Sequence, residues 1–170
     1  VTLCTRAIGC AINLTNPKMY EVAGVAQARN GDCWASANSS SSTTMLVYFS
    51  GCSGPGQIAT GFRNADYGGL DIDSRGNLVA ISTFDAKLYV YRGCTPRCRL
   101  VGGPFALEPY AIFGHLNEKS TLFAAANFST SKIDVYKYSP SNVKYEYSFD
   151  NGLNGTYDVE GVAFNPRSKE

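Results

Sequence analysis

The sequence predicts an all-β chain of β-propeller type. Two observations carry that expectation: a strand–turn–strand stretch at residues 67–94, and its return along the chain about every 43–45 residues. The stretch, YGGLDIDSRGNLVAISTFDAKLYVYRGC, reads as three short strands. GLDID is the first, NLVAIS follows the turn Ser74-Arg75-Gly76, and LYVYR comes after the polar step from Thr83 to Lys87. β-Branched and aromatic residues fill the runs, and Gly or Asp marks the breaks.

The repeat is legible residue by residue. Asn30-Gly31-Asp32-Cys33 lies 45 residues before Arg75-Gly76-Asn77-Leu78, and Ala23-Gly24-Val25 precedes the first turn as Gly68-Gly69-Leu70 precedes the second. Val47-Tyr48 matches Val90-Tyr91, which matches Val135-Tyr136, so Tyr48, Tyr91 and Tyr136 are expected at one repeated packing position. Leu122-Phe123-Ala124 falls where Leu78-Val79-Ala80 predicts, and GVAFNPRS at residues 161–168 restarts a first strand. The third unit departs from the pattern, because Gly114-His115-Leu116-Asn117-Glu118-Lys119-Ser120 lacks the turn glycine. With about four strands per unit this is the spacing of propeller blades, since a small twisted sheet cannot bury both faces alone and blades around an axis bury each other. The expected units are 20–62, 63–105 and 106–149 of one propeller domain or partial propeller over residues 1–170, and in a closed ring the ends 1–19 and 150–170 would share a blade.

GLDIDSRGNL followed by KLYVY resembles an NHL-type propeller repeat, with its G-hydrophobic-D-hydrophobic-D-x-x-G-N-hydrophobic core. The wider set NGDCWASA, LVYFSGC, GLDIDSRGNL, VYRGC and VEGVAFNPRS, over about residues 20–168, resembles secreted bacterial proteins of NHL-like propeller type. The resemblance implies a propeller with a longer parent, hence a fragment of a larger ring in preference to a closed ring of about four blades. It implies no single activity, because propellers host binding modules, scaffolds, lyases and lactonases alike.

At 170 residues the chain is long enough for one domain with a substantial core. A formal charge of +1 with 17% charged residues lacks the clustered Lys and Arg of a nucleic-acid surface. No apolar run approaches the roughly 18 residues of a membrane span. The chain begins at Val1 without an initiator Met or signal peptide, as a processed or truncated product does.

Six cysteines form three near pairs, Cys4 with Cys10, Cys33 with Cys52, and Cys94 with Cys98. Cys33 starts a second strand and Cys52 follows the end of the third, so antiparallel pairing brings them within disulfide reach. Closing that loop is worth about 3 kcal/mol in the chain-entropy model. Cys94–Cys98 pins a tight turn. A zinc site is the weaker reading, because C-x3-C stands alone and His115 is the only histidine. Disulfides imply an oxidising compartment, extracellular or at a cell surface. Sequons begin at Asn13, Asn38, Asn127 and Asn154. Asn38 and Asn127 are expected in equivalent loops between second and third strands, where a glycan can stand in solvent, against the alternative of chance in a chain rich in Ser, Thr and Asn. ANSSSST at residues 37–43 reads as a flexible loop, and VKYEYSF as an outer strand with Lys144 and Glu146 on one face and Val143, Tyr145 and Tyr147 on the other.

No G-x-S-x-G elbow, P-loop, G-x-G-x-x-G or H-E-x-x-H occurs, and His115 reads as a structural or surface residue. Glu21, Asp66 and Asp158 each lie three residues before a first-strand glycine, Gly24, Gly69 and Gly161, and Glu108 sits near the corresponding place in the remaining unit. Such positions ring the mouth of a propeller's channel, where converging carboxylates suit Ca²⁺ or another hard cation; the plainer reading is a solvated turn repeated with the blade. Tyr20, Tyr67 and Tyr157 adjoin those carboxylates, placed to stack on a sugar or grip a protein loop unless they pack the core.

Two function classes follow. One is a secreted binding or scaffold propeller engaging a protein, a glycan or further copies of itself. The other is a metal-assisted lactonase- or lyase-like enzyme with its site at the channel mouth. The lack of a catalytic constellation favours the first, and Ca²⁺ is the one cofactor these residues suit. An incomplete ring leaves apolar faces at residues 1–19 and 150–168, so self-association is expected. Non-reducing peptide mapping should return Cys33 linked to Cys52 and Cys94 linked to Cys98; free thiols at Cys33 and Cys52 would remove the argument for an oxidising compartment.

Overall fold

The computed structural model describes residues 2–5, 9–150 and 161–165, with side chains described over 14–150 and 161–165. A hairpin of β1 (Thr2–Thr5) and β2 (Gly9–Asn13) precedes three four-stranded antiparallel sheets. The first holds β3 (Glu21–Gln27), β4 (Cys33–Asn38), β5 (Thr44–Phe49) and β6 (Gln57–Ile58). The second holds β7 (Tyr67–Ile72), β8 (Leu78–Ser82), β9 (Lys87–Arg92) and β10 (Arg99–Ala106). The third holds β11 (Ala111–Leu116), β12 (Leu122–Asn127), β13 (Lys132–Ser139) and β14 (Asn142–Asp150). Each sheet is a meander in chain order, and the first strands meet, β3 on β7 and β7 on β11.

The second sheet shows why the strands read as unbroken apolar runs. Leu78 and Ala80 of β8 join Trp34, Leu46, Tyr67, Tyr89 and Tyr91 between the first and second sheets. Val79 and Ile81 turn the other way and join Leu88, Val90, Phe123, Ala125 and Tyr136 between the second and third. Both faces are buried, so period-two alternation of polarity disappears. Two further clusters cover the outward faces. Leu14 and Met19 pack with Cys33, Val47 and Phe49 on the first sheet, and Val162 and Phe164 pack with Ala124, Ala126, Ile133 and Val135 on the third.

Each turn from first to second strand has one frame. Gly31 and Gly76 take left-handed φ of 90° and 77°, and Ser120 takes that conformation at 52°. The third turn closes from Asn117 N–H to the Leu122 carbonyl, whereas the second closes from Asp73 N–H to the Asn77 carbonyl. The third unit therefore carries one extra residue, Thr121, and this corrects the sequence alignment by one position: Phe123, facing the preceding sheet, stands where Leu78 stands. A similar slip affects the tyrosines. Tyr91 pairs with Leu78 and Tyr136 with Phe123, but the partner of Cys33 is Phe49, so Phe49 takes the repeated position and Tyr48 faces the opposite way. On β14 a bulge between Tyr145 and Tyr147 puts Tyr145 opposite Tyr136 and Tyr147 opposite Val135, separating two residues that alternation had placed on one face.

Asp73 is the polar centre of the Gly76 turn. It is buried and accepts the N–H groups of Arg75 (2.9 Å) and Asn77 (2.8 Å), the Asn77 amide (2.8 Å) and, from the third sheet, the Tyr138 hydroxyl (3.1 Å). Asp71 also joins the two sheets: its Oδ2 accepts the Leu116 N–H at 2.6 Å and lies 3.5 Å from His115 Nδ1. Burial pushes the Asp71 carboxyl above the ordinary carboxylate range, and the Leu116 N–H and His115 only partly offset it. Between the first and second sheets the Trp34 indole N–H donates to the Cys94 carbonyl (2.8 Å), Thr60 N–H to Pro96 (2.8 Å) and Cys98 N–H to Thr60 (2.7 Å). The Cys94–Cys98 disulfide thus braces a loop that holds two sheets together, and Cys33–Cys52, with Cα atoms 4.9 Å apart, ties β4 to the end of β5. The side chains of Cys4 and Cys10 lie outside the described residues.

Two glycines decide backbone geometry. A side chain at Gly76 meets no atom within 4 Å, so Gly76→Val should cost about 1–3 kcal/mol through its left-handed backbone alone. A Cβ at Gly24 would lie 2.5 Å from the Gly68 carbonyl oxygen, so Gly24→Ala should force β3 from β7 at a cost of about 1–3 kcal/mol. Urea unfolding measures both, and unchanged midpoints would refute the assigned turn and strand contact. A third outcome concerns pH. Because the folded Asp71 carboxyl is raised, the native state holds a proton that the unfolded chain has released, and stability falls as pH rises through that window, upward from 3.8. Asp71→Asn keeps an acceptor for Leu116, so its stability relative to wild type should improve from pH 3 to pH 7. A flat difference would show that the carboxyl titrates as it does unfolded.

Candidate functional site

At the end where β3, β7 and β11 begin, a polar cleft of about 500 Å³ opens between the first and second sheets. Its walls are residues 63–66, the turn 42–44 after β4, and the turn from Ser82 to Lys87. The 63–66 segment is placed by buried phenols. The Tyr67 hydroxyl donates to the Arg63 carbonyl (2.9 Å), the Arg63 N–H donates to Tyr91 Oη (3.1 Å), and the two hydroxyls lie 2.7 Å apart. With its own hydrogen on Arg63, Tyr67 accepts from Tyr91. Burial pushes both phenols above their ordinary range, so they stay protonated donors at neutral pH. The backbone of 63–66 is therefore fixed, while the Arg63 side chain is exposed.

The opposite wall is the second-to-third turn of the second sheet. Thr83 donates its N–H to the Asp66 carbonyl (2.8 Å) and its hydroxyl to Asp66 Oδ2 (3.2 Å), closing the back of the cleft. Lys87 Nζ pairs with Asp85 Oδ2 at 2.9 Å. Partial burial tends to raise Asp85, but the Ser82 hydroxyl dipole and the Lys87 ammonium outweigh it and hold the carboxyl below its ordinary value; Asp85 in turn raises the Lys87 amine. Ser82 is 1% exposed, and its Oγ lacks a hydrogen bond of good geometry. Tyr89 lies beneath, stacked on Tyr91 at 6.2 Å and edge-on to Tyr67 at 6.0 Å. Phe84, at the lip, is 91% exposed. The cleft thus offers a carboxylate pair, two cations, a buried hydroxyl and a bare aromatic ring.

The candidates from sequence divide unequally. Asp66 lines the cleft. Glu21 is exposed at the start of β3, and Glu108 is exposed with its N–H donated to the Tyr136 hydroxyl (2.7 Å). Counting from the shared turn frame, the place of Glu21 and Asp66 belongs in the third unit to Tyr110, which is 59% exposed with φ of 66°, and not to Glu108. Among the described residues no three of His, Cys, Asp or Glu group closely enough to hold a metal ion. Tyr67 is a core residue, 1% exposed, while Tyr20 is exposed. Asn127 is buried with its amide hydrogens donated to the Pro109 carbonyl (3.0 Å) and Asp134 Oδ2 (2.9 Å), leaving no solvent position for a glycan. Asn38 is half-buried at the end of β4, its Oδ1 accepting from the Thr44 hydroxyl (3.1 Å). Tyr157, Asp158 and Asn154, and the side chain of Asn13, lie outside the described residues. Sequence reasoning missed Phe84, Ser82, Arg63, Asp85 and Lys87. One signal was available: a phenylalanine inside the polar step from Thr83 to Lys87 has no reason to be there in a plain turn.

No protein-family model matches the chain, and no curated protein matches it by sequence. Among solved structures it is similar to a luciferin-regenerating enzyme, with a TM-score of 0.63 at 15% identity over 84% of this chain and 49% of that one. It is similar to regucalcin, a calcium-binding protein of Agrobacterium tumefaciens strain C58, with a TM-score of 0.56 at 9% identity over 77% of this chain and 45% of that one. It is also similar to Sqt1 of Chaetomium thermophilum, with a TM-score of 0.58 at 11% identity over 83% of this chain and 38% of that one. The fold is a β-propeller fold. The three sheets are its blades, their first strands are innermost, and the chain spans about half the length of these structures or less. At such identities the likeness carries the fold alone, and the narrower NHL-type resemblance has no matching family behind it. The two blade disulfides are consistent with an extracellular protein, and no helix among the described residues is long and apolar enough to cross a membrane.

Proposed function

We propose that this propeller segment is a secreted binding module whose cleft between the first two blades takes a glycan. Phe84 carries the reading. A phenylalanine left 91% exposed on the lip of a polar cleft is a stacking surface with nothing on it. Sugars present an apolar C–H face beside a ring of hydroxyls. Phe84 suits the first, and Asp66, Arg63 and the Asp85–Lys87 pair suit the second. Ligand pockets of about 300–1,000 Å³ with a few oriented polar groups are the usual size and make-up for such work. A protein partner or a further copy of the chain belongs to the same reading, since a scaffold propeller needs no catalytic group.

A second reading, a metal-assisted enzyme of lactonase or lyase kind, is favoured by the likeness to a luciferin-regenerating enzyme and to a calcium-binding protein. It would need the repeated carboxylates to gather on Ca²⁺, and among the described residues no three of His, Cys, Asp or Glu group closely enough to do so. Metal analysis of the purified protein separates it from the first reading.

A glycan array followed by calorimetry tests the binding reading. One sugar class should bind saturably, and Phe84→Ala should weaken it about tenfold or more, the size of an aromatic stacking contact. Retention of no glycan, or equal affinity in Phe84→Ala, would overturn it.

A further inference from the structure

At the opposite end of the same two blades, a second cavity of about 310 Å³ lies beside the Gly31 and Gly76 turns. Its floor is the edge of the inter-blade core: Trp34, which is 6% exposed, with Ala28, Ile72 and Leu78. The Trp34 indole N–H is already donated to the Cys94 carbonyl at 2.8 Å, so the ring is fixed and the floor presents apolar surface without a free donor. Three ionisable side chains line it, and their situations differ. Asp73 is buried, its Oδ1 accepting the Arg75 and Asn77 N–H groups and its Oδ2 the Asn77 amide and the Tyr138 hydroxyl. Asp32 has both oxygens engaged, Oδ1 by the Gly51 N–H (2.8 Å) and Oδ2 by the Asn30 amide (2.8 Å), and the Gly51 hydrogen bond leads in holding its carboxyl below the ordinary range against burial. Arg29 is exposed, and none of the ion pairs among the described residues includes it. A ligand entering this cavity meets an aromatic floor, two carboxylates whose oxygens are already engaged, and a guanidinium with its donors open.

We propose that this cavity is a binding site for small planar apolar carboxylates, with the ring on Trp34 and Ile72 and the carboxylate on the Arg29 guanidinium. The guanidinium fork matches a carboxylate in two parallel hydrogen bonds, which a neutral amide cannot reproduce. The site is separate from the glycan cleft: it opens at the other end of the blades and needs none of the cleft's residues.

Trp34 is the sole tryptophan, so the full chain labelled with ¹⁵N has one indole N–H resonance, and that resonance reports this cavity. Titration with 2-naphthoate should shift it saturably. 2-Naphthamide should bind about tenfold more weakly, because it loses a hydrogen-bonded charge pair. Arg29→Gln, a change at an exposed side chain, should bring naphthoate down to the affinity of the amide and leave the amide unaffected. An indole resonance that does not move would overturn the proposal. So would an amide or a naphthylmethylammonium ion that binds as tightly as the acid, or an Arg29→Gln variant that binds naphthoate as wild type does.

Discussion

Each four-stranded sheet in this chain is apolar on both faces, and none is stable until a neighbour covers it. Leu78 and Ala80 on one side of β8 and Val79 and Ile81 on the other commit the second blade to partners before and after it. The same need explains the chain's two ends. Leu14 and Met19 lie on the outward face of the first blade, and Val162 and Phe164 on that of the third. Innermost strands must then approach closely, and the absence of a side chain at Gly24 lets β3 come against the Gly68 backbone of β7.

Close packing concentrates the polar work at the blade ends, where backbone groups leave the ladders and need partners. Asp73 gathers three donors from its own turn and one from the next blade, and the Trp34 indole and Thr60 hold the Cys94–Cys98 loop to the first blade. Tyr67 and Tyr91 do the same at the opposite end, where their hydroxyls hold residues 63–66. The candidate glycan cleft is thus a loop site set by core residues. Tyr67 acts behind the site and not in it, because a fully buried phenol can orient a loop but cannot touch a ligand.

The two cavities differ in chemistry for the same structural reason. Both lie in the seam between the first two blades. One end of the seam is lined by the turns after second strands, which are rich in Ser, Thr, Asp and Lys. The other end meets the turns after first strands, where Asp73 and Asp32 are engaged by hydrogen bonds from their own turns and from neighbouring segments, and the apolar edge of the core forms the floor.

The sequence by itself determined the period, the strand content, the Gly76 turn and the Cys33–Cys52 and Cys94–Cys98 pairings, because each rests on local spacing: alternating strand and turn residues, a glycine where φ is positive, cysteines at the ends of paired strands. Only the tertiary structure decided register and facing. One inserted residue, Thr121, and one bulge on β14 reverse which face a side chain takes, and neither alters composition or period enough to be read. It also decided which repeated residues gather. Asp66 meets Thr83 and lines a cleft with Arg63, Asp85 and Phe84, while Glu21 and Glu108 stand apart from it. A cleft between blades is made by residues from two units, and convergence across a seam depends on how the sheets twist and stack, which no single repeat encodes.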